Sequence, residues 1–176
     1  MQNLLAVSVL GPYAPTATTD IARLAADCNC NILDARITML GSETAMLLLL
    51  AGTWNALAKF EHALPALTNR LQLTVHIRRT NGREPNAQAL PYSVQIVALD
   101  NPGILRDISQ FFLDQGVSLQ DIYSNTYAAP QTGAAMIVLN IALNVPGEVH
   151  INALRDQFQL LCDDLNLDGI MEPIKG

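Results

Sequence analysis

The chemistry this sequence offers is concentrated in one turn, Asp100-Asn101-Pro102-Gly103. A carboxylate, a small amide, a proline and a glycine stand there between an apolar strand pattern and an amphipathic helix pattern. Ahead of the turn, Val94, Ile96 and Ala98 share one side of the stretch 92–98, the period of a half-buried strand. Behind it, Ile104, Leu105, Ile108, Phe111 and Phe112 fall on one face at helical spacing. Asn101 suits the N-cap, and Pro102 suits the first helical position, whose N–H has no intrahelical partner. Gly103 keeps side-chain bulk away from the helix entrance, and Gly116 stands where a left-handed residue ends the helix. A bare helix N-terminus with approachable N–H groups favours a small anion such as a carboxylate. A capped strand-to-helix turn with no ligand is the other reading of the same residues.

Elsewhere, residue types that do chemistry are thin. No nucleophile elbow, phosphate-binding glycine loop or metalloprotease helix is present. No catalytic residue is therefore assigned, and no cofactor. Cys28 and Cys30 are close, but no second cysteine pair or clustered histidines complete a metal site, so no metal is expected. Asp163 and Asp164 read as solvated carboxylates at a helix end. Asp121, Ser118 and Gln120 are polar strand positions or site residues. An acylphosphatase-like enzyme needs an arginine in a phosphate-cradling first loop, and the loops 11–16 and 99–103 hold none.

Composition narrows the class further. Of 176 residues, half are hydrophobic and 15% charged, so a substantial core forms and wholesale disorder is excluded. A formal charge of −6 and aromatics at 5% argue against direct nucleic-acid binding, which needs clustered cations and stacking rings. The charge is uneven: residues 1–83 carry seven Lys/Arg and five Asp/Glu, residues 84–176 three and eleven. An acidic second half suits a basic protein partner or simply a solvated surface. No signal peptide opens the chain, and the apolar run 45–51 is far below the ~20 residues that span a bilayer. With three cysteines, an odd number, the expected location is the cytoplasm, without membrane attachment.

The elements that position the turn come in two copies. Asp20-Ile21, Asp27 and Asp34 recur 87 positions later as Asp107-Ile108, Asp114 and Asp121. Ala45-Met46 with its following leucines is matched 90 positions on by Ala135-Met136. Leu57, Phe60, Leu64 and Leu67 are matched 94 positions on by Ile151, Leu154, Phe158 and Leu161. Each copy reads strand, helix, strand, strand, helix, strand. The first has strands near 4–10, 32–40, 44–51 and 71–79 and helices near 16–28 and 54–69, where Pro65 kinks or splits the second. The second has strands near 92–99, 117–127, 134–143 and 167–173 and helices near 103–115 and 147–163. The fold class is α+β: two ferredoxin-like βαββαβ domains in tandem, antiparallel sheets with helices on one face. Their expected bounds are 1–80 and 92–176, joined by a turn-rich linker at 81–91. The third strands are apolar at consecutive positions, so their second face wants cover from the other repeat or from a second chain. Met136, Val138, Leu48 and Leu50 are the residues expected in such a contact.

Two βαββαβ repeats, with Asp100-Asn-Pro-Gly-Ile-Leu105 opening a helix and Gly116-Val-Ser118 opening the next strand, resemble tandem ACT domains, regulatory modules that bind amino acids. A chain of two such repeats is similar to the glycine cleavage system repressors. That resemblance implies a non-enzymatic, amino-acid-responsive negative regulator of transcription. It would contact a LysR-type activator and not DNA, with glycine as the suspected ligand and a homodimer possible. An ACT-type sensor that controls a metabolic enzyme is the alternative. Position by position, the resemblance places the amino-acid site at Asp100, Asn101, Gly103, Ile104, Leu105 and Ser118. Backbone N–H groups from Gly103 to Leu105 would take the carboxylate and Asp100 the ammonium. The first repeat has Tyr13-Ala14-Pro15-Thr16 in place of the motif and is expected not to bind in the same way.

Overall fold

Among the described residues, alternating apolar positions from eight strands and buried stripes from four helices build two cores. The computed structural model describes residues 3–82 and 89–174. It divides into two units, residues 1–84 and 85–176. Most of the expected linker, residues 83–88, lies outside the described residues.

The first unit runs β1 (Asn3–Pro12), α1 (Ala17–Asp27), β2 (Asn31–Leu40), β3 (Glu43–Gly52), α2 (Trp54–Arg70) and β4 (Thr74–Thr80). The second runs β5 (Leu90–Leu99), α3 (Ile104–Asp114), β6 (Ser118–Ala128), β7 (Ala135–Val145), α4 (Ile151–Leu165) and β8 (Asp168–Pro173). The sheet orders are β2-β3-β1-β4 and β6-β7-β5-β8, antiparallel at every pairing. In both units the edge strand after the first helix carries an irregularity at the same place, between Ile32 and Asp34 and between Leu119 and Asp121. The extra residue bends each edge and shifts its register by one.

Helices sit where apolar spacing demands. Ile21 and Ala25 of α1, and Ile108 and Phe112 of α3, face the sheets. Phe60 and Leu64 of α2 correspond to Leu154 and Phe158 of α4, and all four are buried. Pro65 lies inside α2 without splitting it. Thr68 Oγ donates to the Leu64 and Pro65 carbonyls at 3.2 and 3.3 Å within the same turn. Each helix is followed or capped by a residue of positive φ: Asn29, Gln72, Gly116 and Asn166. Their left-handed backbone ends the helix and returns the chain to the sheet. Helix α4 starts at Ile151 and not near 147, because β7 runs on to buried Val145 and the Val149 N–H closes a turn on the Pro146 carbonyl.

Register corrects the correspondence between repeats. Met46 pairs with Val9 on β1, and Leu139 pairs with Ile96 on β5. Leu139 is therefore the counterpart of Met46, and Met136 is not; the offset grows from 87 to 93 in the turn between β6 and β7, and the last residue, which brings it to 94, falls between β7 and α4. Register also corrects which leucines face away from the helices. Leu48 and Leu50 are buried in the core, whereas Leu47 is 59% exposed on the open face. Pleating puts Leu47 and Leu49 there, not Leu48 and Leu50. With Leu10, Leu40 and His76, Leu47 lines an open groove of about 490 Å³ on that face.

Candidate functional site

Helix α3 enters through a glycine. Gly103 is its N-cap, at φ +104 and ψ −13, with no side-chain capping bond. This corrects the expected cap: Asn101 and Pro102 lie before the helix, in the turn, and both are exposed. A positive-φ residue turns the chain sharply into the helix, so the cap is made by backbone conformation and not by the Asn101 side chain. The first intrahelical bond runs from the Asp107 N–H to the Gly103 carbonyl at 2.9 Å. The N–H groups of Ile104, Leu105 and Arg106 therefore have no intrahelical acceptor. Ile104 is buried in the core and offers the site only its backbone, while Leu105 is exposed.

The turn is tied to the sheet at its start. The Asp100 N–H donates to the Ala135 carbonyl at 2.9 Å, which fixes the turn against the first residue of β7. The Asp100 side chain is exposed, one residue beyond the end of β5.

Arg106 is the residue that sequence reasoning passed over. A Cβ built on Gly103 would stand 3.2 Å from its Nη2, so the guanidinium lies back over the helix entrance. Arg106 Nε donates to Asp107 Oδ1 at 2.7 Å, and that bond raises the guanidinium pKa above its ordinary value. An exposed arginine in a helix's first turn reads from sequence as a solvated charge; only its fold-back over Gly103 brings it to the turn.

Ser118 stands apart. It opens β6 opposite Asn144, and Pro91 at the start of β5 pairs with the same Asn144. Leu99, at the turn end of β5, pairs with Met136. Eight strand residues separate the two ends, about 26 Å along the sheet. Within this unit Asp100, Gly103, Ile104 and Leu105 come together, and Ser118 does not join them. Its Oγ accepts from Gln120 Nε2 at 2.9 Å on the neighbouring strand stretch.

The matching turn of the first unit is built differently. Thr16 caps α1 at φ −90 and ψ −9, an ordinary right-handed conformation, again with no side-chain capping bond. Tyr13 is exposed, and its N–H donates to the Ser42 carbonyl at 3.2 Å, the counterpart of the Asp100 tie. Asp20 beyond it holds Arg23 and Arg70 at 3.4 and 3.2 Å. A threonine side chain therefore stands where the second unit has glycine and the Arg106 guanidinium folds back.

Chemically, the second turn can take a small carboxylate at its backbone N–H groups, assisted by a cation. The first turn has neither the glycine nor a counterpart of Asp100. Among the described residues no cluster of three metal-ligating side chains occurs, and no helix is long and apolar enough to cross a membrane. Cys30 and Cys162 are buried, and burial pushes both thiols above their usual range, Cys162 to about 11.

Comparison with known proteins bears on the whole chain. Residues 3–78 match the ACT domain family model. The chain is 29% identical over 168 residues, 96% of its length and 88% of the relative's, to the glycine cleavage system transcriptional repressor of Escherichia coli K12. The Shigella flexneri protein of the same name matches equally. A crystal structure described as a candidate glycine cleavage system transcriptional repressor superposes with a TM-score of 0.75 at 24% identity, covering 100% of this chain and 99% of that one. A protein of unknown function from Galdieria sulphuraria gives 0.79 at 17% identity, covering 99% and 100%. Both structural likenesses concern the fold, and the fold is two ferredoxin-like ACT-type domains in tandem.

Proposed function

We propose that this chain is an amino-acid-responsive negative regulator of transcription of the glycine cleavage system. The observation that carries the reading is the similarity, over nearly the full length, to the Escherichia coli glycine cleavage system transcriptional repressor. Full-length coverage matters because one ACT-type domain alone would fit many regulators. In this reading the chain acts by contact with a LysR-type activator and not on DNA. Its formal charge of −6, with the acidic excess in the second half, suits a basic protein surface and opposes a phosphate backbone.

The ligand in this reading is a small amino acid, glycine first, held at the entrance of α3. Its carboxylate lies on the N–H groups of Ile104 and Leu105, with Arg106 adding positive charge, and its ammonium group faces Asp100. Gly103 brings no side chain of its own to the entrance, which the Arg106 and Asp107 side chains border. No residue is given a catalytic role, and the work is done by differential affinity of two states for ligand and partner. A homodimer and a cytoplasmic setting complete the proposal.

A gel-shift on the glycine cleavage promoter tests it. The purified chain alone should leave the DNA unshifted, should change the complex formed by the LysR-type activator, and should lose that effect when glycine is added. A shift by the chain alone overturns the indirect mode. An unchanged activator complex, with or without glycine, overturns the transcriptional reading and leaves control of a metabolic enzyme as the alternative.

A further inference from the structure

Pairing register resolves the helix-free face of each sheet into rows that cross all four strands. In the first unit one row is Arg36 on β2, Leu47 on β3, Ser8 on β1 and His76 on β4. A basic side chain stands at either end. Leu47 is exposed between them, in the groove of about 490 Å³ that Leu10 and Leu40 also line. The next row has Asp34, ion-paired to Arg36, at one end and Arg78 at the other. Glu43, at the start of β3, is the other carboxylate on this face.

In the second unit one row is Asp121 on β6, Ala142 on β7, Ser93 on β5 and Glu172 on β8. A carboxylate stands at either end, and the two residues between are small. A groove of about 410 Å³ lies over them. Asp168 is on the same face, and among the described residues no Lys, Arg or His joins it. By register Arg36, Leu47 and His76 answer to Tyr123, Asn140 and Ile170, so this face has kept neither the basic ends nor the leucine. The two rows fit each other. Both cross four strands, so the ends of each are about 14 Å apart. Laid face to face, each carboxylate of one row meets a basic side chain of the other, whichever way round the sheets lie. Leu47 then enters the space over Ala142 and Ser93. Sheets pack in this manner about 10 Å apart.

We propose that these faces are a docking surface for a second copy of this chain, the first-unit face of one copy seating on the second-unit face of the other. Pairing two second-unit faces would set Asp121, Asp168 and Glu172 of both copies against one another, which their charges oppose. Each copy carries one face of each kind, so two copies satisfy both. Four strands spaced by about 4.8 Å, over about six residues of each, make a face of about 400 Å². Two such contacts hide roughly 1,600 Å² in total, the size of a stable interface. The proposal rests on the functional reading only for the homodimer. It uses no residue of the α3 entrance, and its test involves neither promoter nor glycine.

Light scattering and sedimentation of the full chain over a concentration series read the contact directly. The wild type should be a dimer. Leu47→Asp, and separately Ala142→Arg, should weaken association by roughly a hundredfold, because each contact is made twice, while circular dichroism stays that of the wild type. Arg36→Glu should weaken it by roughly tenfold. Adding Glu172→Arg or Asp121→Arg to Arg36→Glu in the same chain should restore it, one reversal for each way round the sheets can lie. A monomer at every concentration overturns the proposal. A dimer that Leu47→Asp and Ala142→Arg both leave intact overturns it too, and places the contact on another surface. Arg36→Glu without effect, or with an effect that neither reversal rescues, overturns the opposition of the two rows.

Discussion

Replacing Gly103 by alanine separates the strain of the turn from its openness. At φ +104 an L-residue is forced into a sparsely populated region, at about 1–3 kcal/mol. The new Cβ would meet Arg106 Nη2 at 3.2 Å, but that side chain is 77% exposed and swings aside, so the cost is mainly backbone. Gly116→Ala is the matched control. Its φ is +69, nothing lies within 4 Å of the added carbon, and its cost is about 1–2 kcal/mol. For a unit of this size both variants should lower the unfolding midpoint, by roughly 4–8 °C for each kcal/mol. They should part on adding glycine. A ligand that binds only the folded state at a hundredfold excess over its dissociation constant adds about 2.7 kcal/mol. Wild type and Gly116→Ala should show the same glycine-dependent rise in midpoint and the same shifts at the Ile104 and Leu105 amides. Gly103→Ala should lose those amide shifts, because a methyl group occupies the entrance and Arg106 is displaced from it. Loss of the shifts in both variants, or in neither, refutes the assignment of the ligand to the entrance of α3.

Three further outcomes follow from the packing. Gly169→Ala should destabilise the second unit by about 1–3 kcal/mol, read by chemical denaturation, because its Cβ would lie 2.5 Å from Cys162 Sγ and 2.9 Å from the Phe158 ring, both buried. Burial, with Asp163 and Asp168 adding to it, raises the folded-state pKa of Cys162 from 9.0 to about 11, so its contribution is complete below pH 9 and is lost as pH rises to 11; Cys162→Ala should flatten that decline in a pH series of unfolding curves. If glycine weakens activator binding by a given factor, the activator must weaken glycine binding by the same factor, and equal glycine dissociation constants with and without saturating activator would remove the switch.

What the sequence could show depended on whether a signal was local and periodic. Val94, Ile96 and Ala98, or Ile108 and Phe112, declare their faces by spacing alone, and all five are buried. The run Leu47 to Leu50 has no period, so neither its facing side nor its register was legible; backbone pairing to β1 decides both. The same gap let Ala45-Met46 be matched to Ala135-Met136 by local likeness. Asn101 ahead of Pro102 offers an ordinary cap, and nothing local reveals that Gly103 takes positive φ in its place. Ser118 shows the limit most plainly. It follows the turn closely in sequence, but the return of α3 carries the chain to the far end of the sheet. Arg106 was invisible because an exposed-looking arginine on a helix carries no distinguishing pattern; it acquires meaning only from what stands beside it.

Duplication makes these side chains interpretable. The two cores keep matched positions, with Phe60 and Leu64 answering to Leu154 and Phe158, while the helix entrance and the open sheet face have both changed. Core positions are held by packing density, and a changed volume there is felt at once. Thr16 against Gly103 and Leu47 against Asn140 carry no such load, so they were free to specialise. Ile104 is where specialisation meets the core. Its N–H lies in the open entrance and its side chain is buried among the sheet residues of the second unit. A carboxylate on that N–H therefore acts on a residue that the core already holds, and can bias α3 only if the core accepts two positions for it. Ligand binding at an exposed side chain such as Asp100 alone would be absorbed by that side chain's own freedom. Backbone recognition at a buried residue is the route by which a molecule as small as glycine could change a protein surface.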